Sequence, residues 1–321
     1  MNLRWKKLGQ IFDFWRSPLA ADFVSHAHSP QAVVFPDYVR IYFSPRKRSP
    51  NGKHASHVRF VDFDHSLQHI LRHAEKDVVA LGAPGTFNEH GIFPFSPVPV
   101  GQRIFGYTTG WTRRKSVDVD SGIGLAISDD GGWSYQKIGD GPVLTASLHE
   151  PFLVCDGFVR IFEGGFHMYY IYGTEWRPPA AGCAPERTYV IGHALSADGI
   201  HWKKEGRQIL PSAFEGECQA LPTVLRIGTR YHMYFCRRRS VDFRTNPQNG
   251  YRLGYAYSDD LVDWVRDDAA AGIGLSAAGW DSEMMCYPHL FQCGEAVYLL
   301  YNGNQFGRDG FGAAVLQQGD Q

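Results

Sequence analysis

The chain has 321 residues, more than a single compact core of ordinary size sustains, so it forms either two domains or one closed repeat. Aromatic residues make up 14% of it, with 35 Gly and 18 Pro against 5 Met, a balance that favours short strands and turns over a helical bundle. Lys and Arg number 32 and Asp and Glu 33, and the resulting formal charge of -1 excludes a global field that would attract nucleic acid or anionic lipid.

The N-terminal segment, residues 1–24, has charges, no uninterrupted apolar run and no small-residue cleavage site. No stretch elsewhere approaches the roughly 18 apolar residues of a membrane helix. The six cysteines form no C-x-x-C pair and lack the spacing of a zinc site, which predicts reduced, buried thiols. We therefore expect a soluble, cytoplasmic protein with no membrane span, no metal and no cofactor.

A repeat follows this segment and continues to the end of the chain. Its five units are marked by residues 64, 63, 65 and 66 positions apart, and 11 residues after each marker an apolar residue opens an aromatic run. The markers are Pro30, Pro94, Gly157, Pro222 and Pro288. Three units also carry a turn with Ser and Asp, followed by a tryptophan, which we interpret as structural, with the indole packed between units. These tryptophans are Trp133, Trp202 and Trp264.

Each unit contains two short strands joined by a tight turn, then a third and a fourth strand, in about 65 residues. Such a sheet cannot bury both faces alone, whereas radial closure of five sheets leaves few exposed edges. The predicted fold class is all-β, a single five-bladed β-propeller of four-stranded antiparallel blades, since an open sandwich pair would not require a constant repeat. The predicted blades are residues 25–85, 86–148, 149–212, 213–278 and 279–321. Residues 1–24 are expected to close the ring, with Trp5 to Phe14 as the outer strand of the last blade, and one short helix is expected at 65–75.

Carboxylates recur at one phase of this repeat. Glu89, Glu217 and Glu283 each stand five residues before the marker proline of a blade, and Asp156 directly precedes the marker Gly157. Because the first strand of a blade begins on the face where the second strand ends, we expect these carboxylates to converge on a central funnel as catalytic residues. The alternative is that carboxylates at blade starts accept backbone N–H bonds in loops.

Further polar and aromatic residues at the same phases are the candidate substrate-binding groups. Aromatic rings stack on the C–H faces of sugars, and carboxylates, amides and guanidinium groups hydrogen-bond hydroxyls. The candidates are His26, His28, Arg46, Trp111, Glu150, Trp176, Arg237, Arg238, Asp281, Asn302 and Asn304. Acidic groups toward the axis and basic groups around the rim predict a small carbohydrate or glycan partner with an anionic group, and not nucleic acid.

Several motifs carry a resemblance to a known superfamily. They are Ser25-His26-Ala27-His28-Ser29-Pro30, Gly85-Thr86-Phe87-Asn88-Glu89-His90-Gly91, the Gly-Leu-Ala-Ile-Ser-Asp-Asp-Gly-Gly run from Gly124, Gly279-Trp280-Asp281-Ser282-Glu283-Met284 with Tyr287-Pro288, Leu300-Tyr301-Asn302-Gly303-Asn304 and Gly310-Phe311-Gly312. With these the chain resembles the five-bladed propellers of glycoside hydrolase families 43, 32, 62 and 68 and the family 130 mannoside phosphorylases. Within that superfamily it is most similar to bacterial propeller proteins, labelled glycosylases, that accompany polysaccharide biosynthesis genes.

The resemblance implies a carbohydrate-active enzyme, but one position departs from it. Family 43 enzymes carry a base Asp before the first-blade proline, a pKa-tuning Asp before the third-blade one and an acid Glu close before the fourth-blade one. In this sequence Ser29 replaces the base, Asp156 matches the second residue, and Glu217 lies five residues before Pro222. The resemblance therefore does not transfer a complete acid–base pair.

Three functions follow from these residues. The first is a glycoside hydrolase in which Glu217 protonates the leaving oxygen, Glu283 or Glu89 activates water or acts as nucleophile, and Asp156 tunes the site. The second is a phosphorylase or a glycosyl or sugar-phosphate transferase, whose phosphate would bind basic residues and need no catalytic base. Those basic residues are Arg46, Arg237 and Arg238. The third is a non-catalytic glycan-binding propeller.

Overall fold

The computed structural model describes residues 3–49, 52–177 and 185–317. They form five antiparallel sheets of four principal strands, arranged radially with the five inner strands in contact around the axis. The predicted all-β, five-bladed propeller is confirmed. None of the helices among the described residues is long and apolar enough to cross a membrane.

Each of the first four blades is built outward from its inner strand. Blade one contains β2 (Ser25–Val34), β3 (Val39–Arg48), β5 (Arg59–Phe63) and β6 (Ile70–His73), with β4 (His54–Ser56) also paired to β3. Blade two contains β7 (Ile92–Val100), β8 (Arg103–Thr112), β9 (Asp120–Ser128) and β10 (Gln136–Lys137). Blade three contains β11 (Val154–Phe162), β12 (Gly165–Arg177), β13 (Glu186–Ser196) and β14 (Lys203–Lys204). Blade four contains β15 (Glu217–Ile227), β16 (Arg230–Arg239), β17 (Arg252–Ser258) and β18 (Val265–Arg266).

Blade five joins the two ends of the chain. From inside to outside it contains β19 (Cys286–Cys293), β20 (Ala296–Asn302), β21 (Gly310–Leu316) and the N-terminal strand β1 (Trp5–Asp13). Because β1 supplies the outer strand, the ring is closed by backbone hydrogen bonds, and the Trp5 indole N–H also donates to the Tyr234 hydroxyl of blade four at 2.8 Å.

Helix is confined to short turns in the described chain. The 3-10 turns are Phe14–Arg16, Pro18–Ala21, Pro247–Asn249 and Asp268–Ala271, and one four-residue helix spans Asn304–Gly307. The helix expected at 65–75 is wrong: a turn leads into strand β6 there. The Asp64 carboxylate accepts hydrogen bonds from the backbone N–H groups of Gln68 and His69 at 2.9 and 3.0 Å. These bonds favour a turn over a helix, and the chain then pairs antiparallel to β5.

The turns with Ser and Asp are structural, as predicted. In the turn after β9, the Ser128 hydroxyl accepts from Gly132 N–H at 2.8 Å and the Asp130 carboxylate accepts from Trp133 N–H at 2.9 Å. The Tyr42 hydroxyl of blade one donates to the Gly132 carbonyl at 2.8 Å. Each turn tryptophan packs edge-on against an aromatic ring of the preceding blade, at centroid distances of 5.3, 5.8 and 5.7 Å. The pairs are Trp133 with Phe60, Trp202 with Tyr107 and Trp264 with Tyr169.

The five described cysteines are free thiols. Three of them, Cys218, Cys236 and Cys286, are buried as predicted, whereas Cys155 and Cys293 are half-buried. Cys183 lies outside the described residues. Burial raises the pKa of the Cys236 and Cys286 thiols, which therefore stay protonated.

The marker residues of the repeat lie at an irregularity in every inner strand. The pairing to the second strand shifts register beside each marker, and in four blades the residue before the marker has a left-handed backbone. These residues are Ser29 (φ 45°), Asp156 (φ 56°), Leu221 (φ 46°) and Tyr287 (φ 56°). Left-handed backbone is uncommon for residues with a Cβ, and it clusters at functional sites.

Candidate active site

A cavity of about 800 Å³ opens on the face where the inner strands begin and the second strands end. Blades one to five all contribute to its lining, among them Arg46, Trp111, Asp156, Arg238 and Tyr287. Its volume lies within the usual range of small-molecule sites. Among the described residues, no three His, Cys, Asp or Glu side chains are grouped closely enough to hold a metal ion.

Asp156 is the deep carboxyl group of this cavity. Asp156 has a left-handed backbone conformation in the bulge of β11 and is 7% exposed. Its Oδ2 accepts a hydrogen bond from the backbone N–H of Leu221, in the neighbouring blade, at 3.2 Å. Burial raises the pKa of Asp156 from 3.8 to about 7, opposed by that hydrogen bond and by the charge of Arg187. Near neutral pH this carboxyl group can therefore hold a proton and give it up.

The rest of the lining is strongly basic. It contains eight Arg and Lys side chains and one further carboxylate, Asp118. Arg46, Arg187 and Arg238 have no carboxylate within ion-pair distance among the described residues. Uncompensated guanidinium groups in a cavity favour an anionic ligand.

Arg238 is the most deeply placed of these cations, at 3% exposed. Its guanidinium lies 3.4 Å from the centroid of the Phe243 ring, and one Nη donates to the Arg239 carbonyl at 2.7 Å. Its Nε is buried and has no hydrogen-bond partner among the described residues. A buried donor without a partner is costly, so Arg238 carries an unmet hydrogen bond beside the cavity.

Two tyrosines lie beside the guanidinium of Arg238 in the cavity lining. The hydroxyls of Tyr189 and Tyr251 are 2.6 Å apart, and their rings lie 5.3 and 5.5 Å from the Arg238 guanidinium. Burial raises the pKa of Tyr251 and of Tyr287, so their hydroxyls remain protonated donors. Together these groups present hydroxyl and guanidinium donors to one part of the lining.

His28 closes the cavity on the side of blade one. It is buried, and its ring contacts Phe93 at a centroid distance of 4.8 Å and His26 at 4.2 Å, both in tilted arrangements. Burial, with the neighbouring His26 and Arg46, holds the pKa of His28 well below its usual range. His26 lies outside the lining and its pKa is lowered to about 3, mainly by burial, so both rings are neutral at pH 7.

Five of the predicted site residues line the cavity and ten do not. Those in the lining are Asp156, His28, Arg46, Trp111 and Arg238. The three glutamates predicted to converge on the funnel are absent from it, so that convergence is wrong. The predicted polarity is also reversed, because basic groups line the cavity and several of the carboxylates turn away from it.

Three buried carboxylates instead clamp the start of a blade to its own outer strand. The pairs are Glu150 with Lys204, Glu217 with Arg266 and Asp281 with Lys7. Each cation stands beside an alanine at the same position of the sheet, these being Ala194, Ala256 and Ala314. Two of the carboxylates also accept a buried tyrosine hydroxyl, and Glu217 also accepts a backbone N–H. These three carboxylates at the blade starts therefore have a structural role.

The remaining predicted residues are also held away from the cavity. Glu283 is exposed, and Arg237 pairs with Asp268 at 2.9 Å. Trp176 is half-buried under the Arg187 guanidinium, 5.3 Å from its ring. Asn302 is buried and binds Ser29 N–H and the Ala27 and Gly310 carbonyls, while Asn304 accepts from the N–H groups of Glu283 and Met284. Both asparagine side chains therefore hold neighbouring backbone segments in place by hydrogen bonds. Glu89 lies in a second, smaller pocket beside the cavity.

The sequence analysis did not identify the lining residues that come from the third strands and from the loop after β16. Arg187 and Tyr189 stand near the start of β13, Tyr251 directly precedes β17, and Phe243 lies between β16 and β17. Because the third strands begin where the second strands end, the same face argument could have found the first three. Tyr287 could have been found from the repeat itself, since it directly precedes the marker Pro288 as Asp156 precedes Gly157.

Asp156 should make the folded protein less stable as the pH rises. A carboxyl group whose folded pKa is raised contributes stability that is complete below its unfolded pKa near 4 and is lost as the pH passes about 7. In D156N this titration is removed, so the free energy of unfolding of D156N should rise relative to that of the wild type between about pH 4 and about pH 8, by about 4 kcal/mol in all. Urea unfolding of both proteins across this range measures the difference, and a pH-independent difference would contradict the assigned environment.

Comparison with known proteins gives relatives of matching length and a shared fold. No family model matches the chain. Two uncharacterized proteins of Mycobacterium tuberculosis, Rv1502 of strain H37Rv and MT1551 of strain CDC 1551, are each 31% identical to it over 320 residues, 98% of this chain and 100% of the relative.

Solved structures with low sequence identity share the propeller. A complex of BT0996 with RGII has a TM-score of 0.74 at 17% identity and covers 98% of this protein and 93% of its own length. A thermostable family-43 glycoside hydrolase has a TM-score of 0.64 at 12% identity, with coverage of 92% and 91%. A structure from the GH130 family of mannoside phosphorylases, described as containing glycoside hydrolases for β-1,2 mannosidic linkages in Candida mannan, has a TM-score of 0.64 at 12% identity, with coverage of 98% and 94%. The resemblance to five-bladed propeller glycosidases is thus confirmed for the fold.

Proposed function

We propose that this chain, which belongs to the same family as the mycobacterial proteins Rv1502 and MT1551, is a carbohydrate-active enzyme that breaks or forms a glycosidic bond in the cavity. The observation that carries the proposal is the pairing of one buried carboxyl group of raised pKa with guanidinium groups that have no counter-charge in the described chain. A proton donor and an anion site are the two groups that transfer of a sugar between an oxygen and a phosphate requires.

Asp156 is the proton donor of this proposal. A pKa of about 7 matches the working pH, which is where a general acid combines a protonated population with a ready proton transfer. In the forward reaction the Asp156 proton goes to the glycosidic oxygen as the bond from the anomeric carbon to that oxygen breaks. The neutral imidazole of His28 and the hydroxyl of Tyr287 line the same cavity and are available to bind sugar hydroxyls.

Inorganic phosphate is the nucleophile that the lining favours. Hydrolysis with two carboxylates needs an acid and a base about 5 to 10 Å apart, and the described lining offers Asp118 alone as a partner for Asp156. Phosphate needs no base. One of its oxygens forms the new bond to the anomeric carbon, the glycan leaves with the Asp156 proton, and the sugar phosphate returns a proton to Asp156. In the reverse direction a sugar 1-phosphate would be the donor.

The GH130 family, which shares this fold, is described as a family of mannoside phosphorylases that contains glycoside hydrolases, so a propeller of this kind is compatible with both reactions. Hydrolysis is the second candidate, and Asp118 in the lining is the observation that favours it. Phosphorolysis is tested in reverse, by measuring the release of phosphate from a panel of sugar 1-phosphates in the presence of mono- and disaccharide acceptors. We expect the wild type to release phosphate and D156N to release none. Cleavage of glycans in water alone would instead select hydrolysis.

Replacing Arg238 should weaken phosphate binding. A charge-assisted hydrogen bond contributes about 1.5 to 3 kcal/mol, so R238Q should raise the Kd for inorganic phosphate by about 10- to 100-fold. R239Q is the matched control, because Arg239 follows on the same strand, is exposed and lies outside the cavity lining. Calorimetric titration with phosphate measures both variants. Equal weakening in R238Q and R239Q would indicate a general effect of charge and would overturn the assignment of Arg238.

A further inference from the structure

A second pocket of about 370 Å³ adjoins the cavity at blade two. The two share Arg113 and Arg114, which directly follow β8, and Ser121, which lies at the start of β9. The far wall of the second pocket comes from Gly85, Thr86, Phe87 and Glu89, ahead of β7, and from Thr145. A ligand bound in the cavity could therefore continue past the shared residues into this pocket.

The charge of the second pocket differs from that of the cavity. Its lining contains two carboxylates, Glu89 and Asp120, and two guanidinium groups, Arg113 and Arg114, so its formal charge is balanced. Hydroxyl groups from several threonines and one serine complete the lining, and Phe87 supplies an apolar face. A ligand suited to this surface is neutral and rich in hydroxyl groups.

Glu89 is fixed in position before any ligand binds. One carboxylate oxygen accepts the backbone N–H of Gly85 at 2.7 Å, and the other lies 3.1 Å from the Nδ1 of His90. The side chain keeps 25% of its surface exposed, so its remaining acceptor sites face the pocket. A carboxylate with a fixed orientation can accept two neighbouring sugar hydroxyls.

Arg113 lies on the wall between the two pockets. Its guanidinium is 4.9 Å from the Trp111 ring centroid and donates to the His54 carbonyl, and its other Nη is buried with no partner among the described residues. Arg114 is paired with Asp120, and the second oxygen of Asp120 accepts Ser121 N–H at 2.9 Å. The shared wall is thus largely held by its own contacts, with one donor left for a ligand.

We propose that the second pocket holds a neutral sugar residue, the part of the glycan that continues beyond the bond being broken or formed. This inference rests on the proposed function, because it takes the cavity as the place of reaction. The inference requires a substrate of at least two sugar residues. The phosphate would bind in the cavity, and a neutral sugar residue would lie against Glu89 in the second pocket.

Two separate titrations test this inference. Wild type, E89Q and R238Q are titrated calorimetrically with neutral disaccharides (maltose, cellobiose, lactose and mannobiose) and, independently, with inorganic phosphate. E283Q is the matched control, since Glu283 is an exposed carboxylate outside both pockets. We expect E89Q to weaken binding of the preferred disaccharide by about 10-fold or more, E283Q to leave it unchanged and R238Q to weaken phosphate instead.

The outcomes separate the two proposals. No disaccharide binding by the wild type, or equal affinity in wild type and E89Q, would overturn the second pocket as a sugar site. Phosphate binding that is insensitive to R238Q would count against the proposed function while leaving the disaccharide result as it stands. Loss of disaccharide affinity in both E89Q and E283Q would assign the effect to surface charge and would also overturn the inference.

Discussion

D156N should lose glycosidic bond cleavage while remaining folded. Removing a general acid costs about 100- to 10,000-fold in rate, and Asn keeps the shape of the side chain and its contact with Leu221 N–H without holding a transferable proton. Because burial already disfavours the ionised Asp156 carboxylate, the substitution should not lower the melting temperature near pH 8.

Activity in the wild type should depend on the protonated form of Asp156. The rate constant kcat/KM should therefore fall as the pH rises above about 7, since the free enzyme loses the acid there. The measurement is kcat/KM across pH for the wild type and single-turnover rates for D156N on the same glycan. Full activity in D156N, or a kcat/KM that does not fall as the pH rises above about 7, would show that Asp156 is not the general acid.

E217Q should have the opposite effect, loss of stability with retained turnover. Glu217 is 3% exposed and pairs with Arg266 at 2.6 Å, and removing one partner of a buried ion pair costs about 3 to 5 kcal/mol. Arg266 keeps Asp268 as a partner at 2.8 Å, so the lower end of this range applies. Urea unfolding measures the loss, and kcat on the folded protein should stay within about twofold of the wild type.

A double variant separates this clamp from a catalytic role. Replacing both partners with apolar side chains removes the unpaired charge, so E217M/R266M should recover much of the stability that E217Q loses. E283Q is the control for an exposed carboxylate and should match the wild type in stability and rate. A fully stable but inactive E217Q would return the acid role to Glu217 and would contradict the assignment to Asp156.

The fold could be predicted because its signal is local and repeated. A marker residue at a nearly constant interval, followed 11 positions later by an aromatic run, follows from five blades with the same hairpin, and no long-range information is needed to see it. The tryptophan turns could be read in the same way. The segment at 65–75 could not, because the choice between helix and strand there depends on the Asp64 turn and on pairing with β5.

The site was less predictable because the direction of a side chain depends on distant partners. Glu217 and Asp281 stand at blade starts, as a catalytic carboxylate would, but Arg266 and Lys7 on the outer strands turn them away from the cavity. Those cations lie far along the sequence and meet the carboxylates only in the folded sheet. Asp156 could be found because the bulge before its marker residue directs it inward.

The most direct test of phosphorolysis in this cavity is glycan cleavage by the wild-type protein with and without inorganic phosphate, with the products identified by mass spectrometry. We predict cleavage that requires phosphate and yields a sugar 1-phosphate. Equal cleavage in phosphate-free buffer, with a free reducing sugar as product, would show that the protein is a hydrolase and not a phosphorylase.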